Sequence, residues 1–254
     1  MTTIYTINNK VLKNSVTDKW LIKIPVDPYN PLGLPSNTIR VRTRNGNEPI
    51  GTYDTATLVP GTTDVYDVYR SGTDFSNFFY NFNSAEIIEV LGANTTDIIN
   101  MEHMFCNCSL LTTIPLFDTS SVERMRSTFE GCSVLTAIPL FDTSSVTTME
   151  RMFYGCTSLT SVPLFDTSSV TNMSNMFYGC SSLTTVPLFD TSSVTDMSDM
   201  FRDCSNVESG ALALYNQAST QTTSPSYHMR TFRNCGSNTT TGAAELEQIP
   251  SGWK

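Results

Sequence analysis

The feature that most constrains this chain is a 24-residue unit that returns almost unchanged. Residues 111–133 read LTTIPLFDTSSVERMRSTFEGCS, and nearly the same text starts again at Leu135, Leu159 and Leu183. Pro115, Pro139, Pro163 and Pro187 share one phase, and Phe129, Phe153, Phe177 and Phe201 share another. A weaker unit precedes them, with Ile87, Val90, Asn94, Ile98, Met101, Phe105 and Cys108 in register. Upstream again, residues 75–80 rhyme with residues 173–178. After Cys204 the period breaks, although Phe232 and Cys235 repeat the Phe-x-x-Cys ending. A unit this short cannot bury its own apolar face, so neighbours must stack and the two ends need covers.

Each unit divides into two halves. Leu111, Ile114 and Leu116 follow the L-x-x-L-x-L spacing of a strand that turns its leucines inward. This predicts strands near 111–117, 135–141, 159–165 and 183–189. In the second half, Val170, Met173, Met176, Phe177 and Cys180 fall within one helical arc of about 120°, with Tyr178 outside it. This predicts a helix starting near each Val of Ser-Ser-Val. Between the halves, Asp118 suits an Asx-turn, and Ser120 with Glu123 suits a capping box. Gly131, Gly155 and Gly179 stand where a helix ends on a left-handed residue, and Asp203 takes that place in the last unit. The expected fold class is therefore an α/β solenoid. It is a leucine-rich-repeat-like right-handed β/α superhelix, its hand set by the crossover rule.

The flanks read differently. Residues 38–43, the Asn45-Gly46 turn and residues 52–59 read as a hairpin, with 65–69 a further strand. Residues 210–218 read as a departing helix, 219–226 as a Thr/Ser/Pro loop and 243–248 as a short final helix. The resulting division is 1–63 as a β-rich attachment or capping region, 64–204 as the repeat array and 205–254 as a C-terminal helical cap. Within the array, 64–110 are degenerate and 111–204 regular.

Composition narrows the partners. Charged residues make up 15% of the chain against ~25% in a typical soluble domain, so Ser and Thr carry the surface polarity. A net charge of −9 with no basic stripe argues against nucleic acid. No run reaches the ~18 apolar residues of a membrane span. Residues 1–10 lack a basic segment followed by a signal-length apolar run, which leads us to expect synthesis in a cytoplasm.

Catalysis needs mixed residue types converging on a pocket, whereas a repeat supplies rows of one type. No Gly-rich phosphate loop, Gly-x-Ser-x-Gly elbow or His-Glu-x-x-His occurs. His103 beside Cys106 or Cys108 is a conceivable nucleophile pair, but a half-exposed histidine is the simpler reading, and no enzyme is expected. Cys108, Cys132, Cys156, Cys180, Cys204 and Cys235 show no close C-x-x-C pairing, so metal is not expected. Axes about 8–10 Å apart also disfavour disulfides, leaving reduced, buried thiols. Asp118, Asp142, Asp166 and Asp190 would repel by ~3 kcal/mol per neighbour if stacked about 5 Å apart at an effective dielectric near 20. Backbone N–H groups of each turn offset this, or else a bound calcium does, the one cofactor weighed.

The candidate partner-binding residues are Phe117, Phe141, Phe165 and Phe189, with Thr113, Ser161 and Thr185 between them and Tyr154 and Tyr178 beyond. Strict alternation would place the Phe row and the hydroxyls on an outward sheet face suited to sugar or protein. A bend after Leu116 would instead tuck each Phe into the core. Specificity is expected from the positions that vary: Glu123, Arg124 and Arg126; Glu150 and Arg151; Asn172 and Asn175; Asp196 and Asp199.

The unit Leu-Thr-x-Val-Pro-Leu-Phe-Asp-Thr-Ser-Ser-Val-Thr-x-Met-x-x-Met-Phe-x-x-Cys-Ser resembles the BspA-like leucine-rich repeat of bacterial surface proteins, over about residues 75–204. The closing stretch from Asn234 to Lys254 resembles the final module of the phage- and prophage-encoded members. The resemblance implies a binding or structural protein without a shared activity. The expected protein is virion-associated, decorating the particle or attaching to a host surface, and made in the host cytoplasm. The alternative is an extracellular or cell-surface adhesin. Implied partners are a protein or surface glycan and other virion proteins, with oligomerisation through the N-terminal region.

Overall fold

The structure, a computed structural model, describes residues 4–7, 10–13, 27–46, 48–49, 51–80, 87–221 and 225–254. The attachment role expected for 1–63 therefore falls partly outside the described residues, as does the loop expected over 219–226 at residues 222–224.

Two β-strands, β1 (Ile4–Ile7) and β2 (Lys10–Lys13), pair antiparallel. Four more form one open antiparallel sheet: β3 (Thr38–Thr43), β4 (Thr55–Leu58), β5 (Val65–Tyr69) and β6 (Ile87–Asn94), in the order β4-β5-β3-β6. The hairpin expected between 38–43 and 52–59 does not form, because β3 pairs with β5 and β6 while β4 pairs only with β5. Gly46 does sit in a left-handed turn (φ 68°), but the turn leads into a loop. Alternation sets the sheet's two faces. Ile39 and Val41 point inward, while Arg40 forks onto Asp67 at 2.6 and 2.8 Å and Arg42 reaches Asp64 and Glu89.

The repeat region overturns the expected β/α solenoid. Among the described residues between Asn94 and Ala211 there is neither a helix nor a strand, only turns and isolated parallel bridges. The expected helix is replaced by tight turns. Met176 N–H donates to the Met173 carbonyl (3.2 Å), Tyr178 to Asn175 (3.1 Å) and Cys180 to Phe177 (3.0 Å). Alternate N–H groups point to the next unit: Met173 to Asp196 (2.9 Å), Asn175 to Ser198 (2.9 Å), Phe177 to Met200 (2.9 Å) and Gly179 to Arg202 (2.8 Å). Left-handed residues at Asn175 (φ 57°) and Gly179 (φ 72°) are incompatible with helix continuation and recur in each unit. Ser127, Arg151 and Asp199 take the first position, and Gly131, Gly155 and Asp203 the second.

The predicted strands fail for another reason. Each carries a proline that removes a ladder donor. Phe141 and Phe189 instead donate to the carbonyls of Pro139 and Pro187, both at 3.0 Å. This local bend reverses the side-chain phase. Phe117, Phe141, Phe165 and Phe189 are buried, while Leu140, Leu164 and Leu188 are 61, 61 and 53% exposed. The leucine at that position, expected inward, is therefore an outward residue.

What fills the interior is aromatic. Rings of Phe79, Phe105, Phe129, Phe153, Phe177 and Phe201 follow one another at 5.1–5.8 Å. The second row, from Phe117 to Phe189, packs against them at 6.1–6.3 Å. Buried Thr hydroxyls tie units together, Thr119 donating to the Asp142 carbonyl, Thr143 to Asp166 and Thr167 to Asp190 at 2.7–2.8 Å. Two α-helices close the last unit: α1 (Ala211–Thr220), where 210–218 was expected, and α2 (Thr240–Gln248), which begins before 243. Glu245 of α2 accepts from the Gly210 and Leu212 N–H groups at the start of α1, where a helix favours a carboxylate. Trp253 then stacks on His228 at 4.2 Å.

Candidate recognition surface

The same left-handed turns that exclude a helix line up one edge of the stacked units, half-buried along most of its length and buried at Cys106, Ser127 and Asp199. Two positions per unit meet there: His103, Ser127, Arg151, Asn175 and Asp199 in one column, and Cys106, Glu130, Tyr154, Tyr178 and Arg202 beside it. The core of each unit is nearly invariant, whereas these columns change residue type at almost every step.

Their side chains form a connected ribbon. Tyr80 meets the His103 ring edge-on at 5.7 Å. The ligand-capable atoms of His103, Cys106 and Glu130 all lie within 4.8 Å of one another. Arg151 forks onto Glu130 at 2.6 and 3.0 Å, and its guanidinium lies 4.0 Å from the centre of the Tyr154 ring. Tyr154 stacks on Tyr178 at 4.7 Å, and Arg202 sits over Tyr178 at 5.1 Å. Arg202 and Arg230 both pair with Asp199, at 3.1 and 2.9 Å. Such cation–π and ionic contacts fix long side chains that would otherwise be mobile on a surface.

The electrostatics follow from partial burial. Burial pushes the Glu130 carboxyl up, but the hydrogen bonds and charge of Arg151, with smaller contributions from Ser127 and His103, together outweigh it and hold the group below the usual glutamate range. Burial lowers His103, favouring the neutral ring, and pushes the Cys106 thiol up to about 12. Cys132, Cys156, Cys180 and Cys204 are fully buried, and desolvation raises their thiols well above the ordinary value. Each donates S–H to a phenylalanine carbonyl of the preceding unit at 3.0–3.2 Å, and none of the seven cysteines is joined in a disulfide.

The predicted site residues separate. Tyr154 and Tyr178 lie half-buried on the ribbon, joined by Arg151, Asn175 and Asp199 of the variable set. Thr113, Ser161 and Thr185 are exposed on a different side, alongside the leucine row. The four Phe side chains belong to the core, taking the second of the two expected alternatives, so no aromatic ladder faces solvent there. At the aspartate row, Oδ1 of Asp118, Asp142 and Asp166 accepts from the Ser N–H and hydroxyl of its own turn at 2.7–3.1 Å. These donors hold Asp166 below the usual aspartate range. The only group of three metal-capable side chains among the described residues is His103, Cys106 and Glu130, away from that row. Sequence reading missed the outward leucines because L-x-x-L-x-L reads as core. It missed the Cys106–Glu130 proximity because those residues occupy equivalent places in successive units, where only stacking brings them together.

A family profile described as "Mycoplasma protein of unknown function, DUF285" matches residues 73–164 and again 160–240, together well over half the chain. No curated protein and no solved structure matches it.

Proposed function

Starting from a chain that belongs to the DUF285 family, we propose a non-enzymatic recognition or structural protein that uses its variable turn-edge ribbon as the contact surface. The observation that carries this reading is the concentration of sequence change on one connected edge above an almost unchanging aromatic core. A repeated edge offers several weak contacts at regular intervals, which add through effective concentration. Tyr and Arg, the residues that dominate binding hot spots, are fixed on it in stacked pairs.

The sequence resemblance further supports a BspA-like repeat protein of the phage-encoded type, placed on a virion as a decoration or host-attachment protein. Its expected partners are a surface protein or glycan. Mass spectrometry of purified virions against host-surface fractions tests the placement, and recovery only from host surfaces would establish the cell-surface adhesin instead. Deleting residues 159–182 removes one whole unit and joins equivalent ends, so the protein should still fold. Surface binding should then weaken in a graded way. A variant that folds and keeps all binding while losing a turnover activity would overturn the reading.

A further inference from the structure

Cys106 stands apart from every other cysteine. The other six belong to the period-24 row or its C-terminal echo, whereas Cys106, also buried, occupies the column filled later by Glu130, Tyr154, Tyr178 and Arg202. It lies three residues after His103, on the same turn. Stacking brings Glu130 of the next unit to both, with the ligand-capable atoms within 4.8 Å of one another. His103 Nδ1 is buried without a hydrogen-bond partner.

We propose that His103, Cys106 and Glu130 bind a zinc ion between two adjacent turn units. Sulfur, imidazole and carboxylate together suit a borderline-soft dication and not calcium or magnesium, which prefer oxygen throughout. Three protein ligands leave a fourth, open position for water, unlike the closed four-ligand sets of most structural zinc sites, so the ion would be held less tightly than in those. Tetrahedral ligands lie roughly 3–4 Å apart, so the side chains close by about 1 Å on binding. Arg151, forked on Glu130, serves as the outer partner that orients a ligating carboxylate. On binding, the Cys106 S–H bond breaks, its proton passes to solvent, and a zinc–sulfur bond forms. The thiolate and the Glu130 carboxylate together balance the ion's two charges. The site would clamp two adjacent units to one another near the N-terminal end of the ribbon, and its zinc affinity can be measured whether or not the ribbon binds a partner.

The test uses the full chain, reduced and stripped of metal with EDTA, titrated with zinc chloride in competition with a chromophoric chelator. One zinc per chain is expected, with affinity at least tenfold weaker in Cys106→Ser, His103→Asn and Glu130→Gln. Cobalt(II) should give a thiolate-to-metal charge-transfer band that vanishes in Cys106→Ser and persists in Cys180→Ser. Near-UV circular dichroism checks that each variant is folded. Wild-type protein that binds no stoichiometric zinc or gives no cobalt–thiolate band overturns the proposal whatever the variants do, and so does undiminished binding by folded Cys106→Ser.

Discussion

Replacing Phe165 and its neighbour Leu164 by alanine, one at a time, separates the observed core from the one that the leucine spacing suggests. Phe165 is 2% exposed, with its ring 6.2 Å from Phe153 and 6.4 Å from Phe189. Truncating it empties a ring-sized volume inside stacked neighbours that cannot collapse independently, which costs about 3–5 kcal/mol. Leu164 is 61% exposed, so only a minority of its surface returns to water when truncated, worth roughly 0.5–1 kcal/mol. At about 2–4 °C per kcal/mol for a chain of this size, Tm should fall by about 6–20 °C for Phe165→Ala and about 1–4 °C for Leu164→Ala. Urea midpoints followed by near-UV circular dichroism provide the equilibrium check. A larger loss for Leu164→Ala than for Phe165→Ala would restore the inward-leucine phase and refute the proline-bend argument.

The remaining expectations concern the turns, the thiols and the ion pair. Asn175→Ala places a β-carbon in the left-handed region at φ 57° and should cost about 1 kcal/mol, whereas Asn175→Gly should stay within about 0.5 kcal/mol in urea titrations. Cys132, Cys156, Cys180 and Cys204 should react with a maleimide on the order of 100-fold more slowly in native protein than in denaturant. A disulfide between any two of them would contradict the packing. The folded-state pKa of Glu130 is depressed, so its contribution is complete above the unfolded value of about 4.3 and is lost as pH falls through the folded value. Glu130→Gln should accordingly cost up to ~1 kcal/mol at neutral pH, discounted for partial exposure, with the gap to wild type closing in acid.

The repeat made the interior of each unit readable but not its backbone. Val170, Met173, Met176, Phe177 and Cys180, grouped by helical periodicity, are all fully buried. Spacing at i, i+3, i+4 and i+7 selects one face of a helix, yet consecutive tight turns bury the same residues. What decides between them is the left-handed residue at Ser127, Arg151, Asn175 and Asp199, a position with no shared residue type to announce it. Proline was visible in every unit, and its missing N–H was the available warning that the preceding leucine spacing would not become a ladder. Of the candidate surface, Tyr154 and Tyr178 were legible because they fall off the apolar arc, and Arg151, Asn175 and Asp199 because they vary from unit to unit. The Phe row was ambiguous because its direction depends on that same bend. The joining of β3 to β6, across more than forty intervening residues, follows from long-range pairing that no local signal specifies.

Near-identity of successive units gives a refolding chain a problem of address. The backbone edge around Met173, Asn175, Phe177 and Gly179 offers its donors to Asp196, Ser198, Met200 and Arg202, but the carbonyls one unit further on are almost the same chemically. Docking that skips a unit would satisfy most backbone donors and loop out 24 residues. Such mispairing is a kinetic trap typical of repetitive chains. The variable edge distinguishes right from wrong neighbours, because Glu130 finds Arg151 and Arg126 finds Glu150 only when consecutive units meet. Homogenising those positions to a consensus would leave the finished structure nearly as stable while making correct assembly slower and more prone to aggregation. The residues offered to a partner therefore also act as the chain's internal numbering.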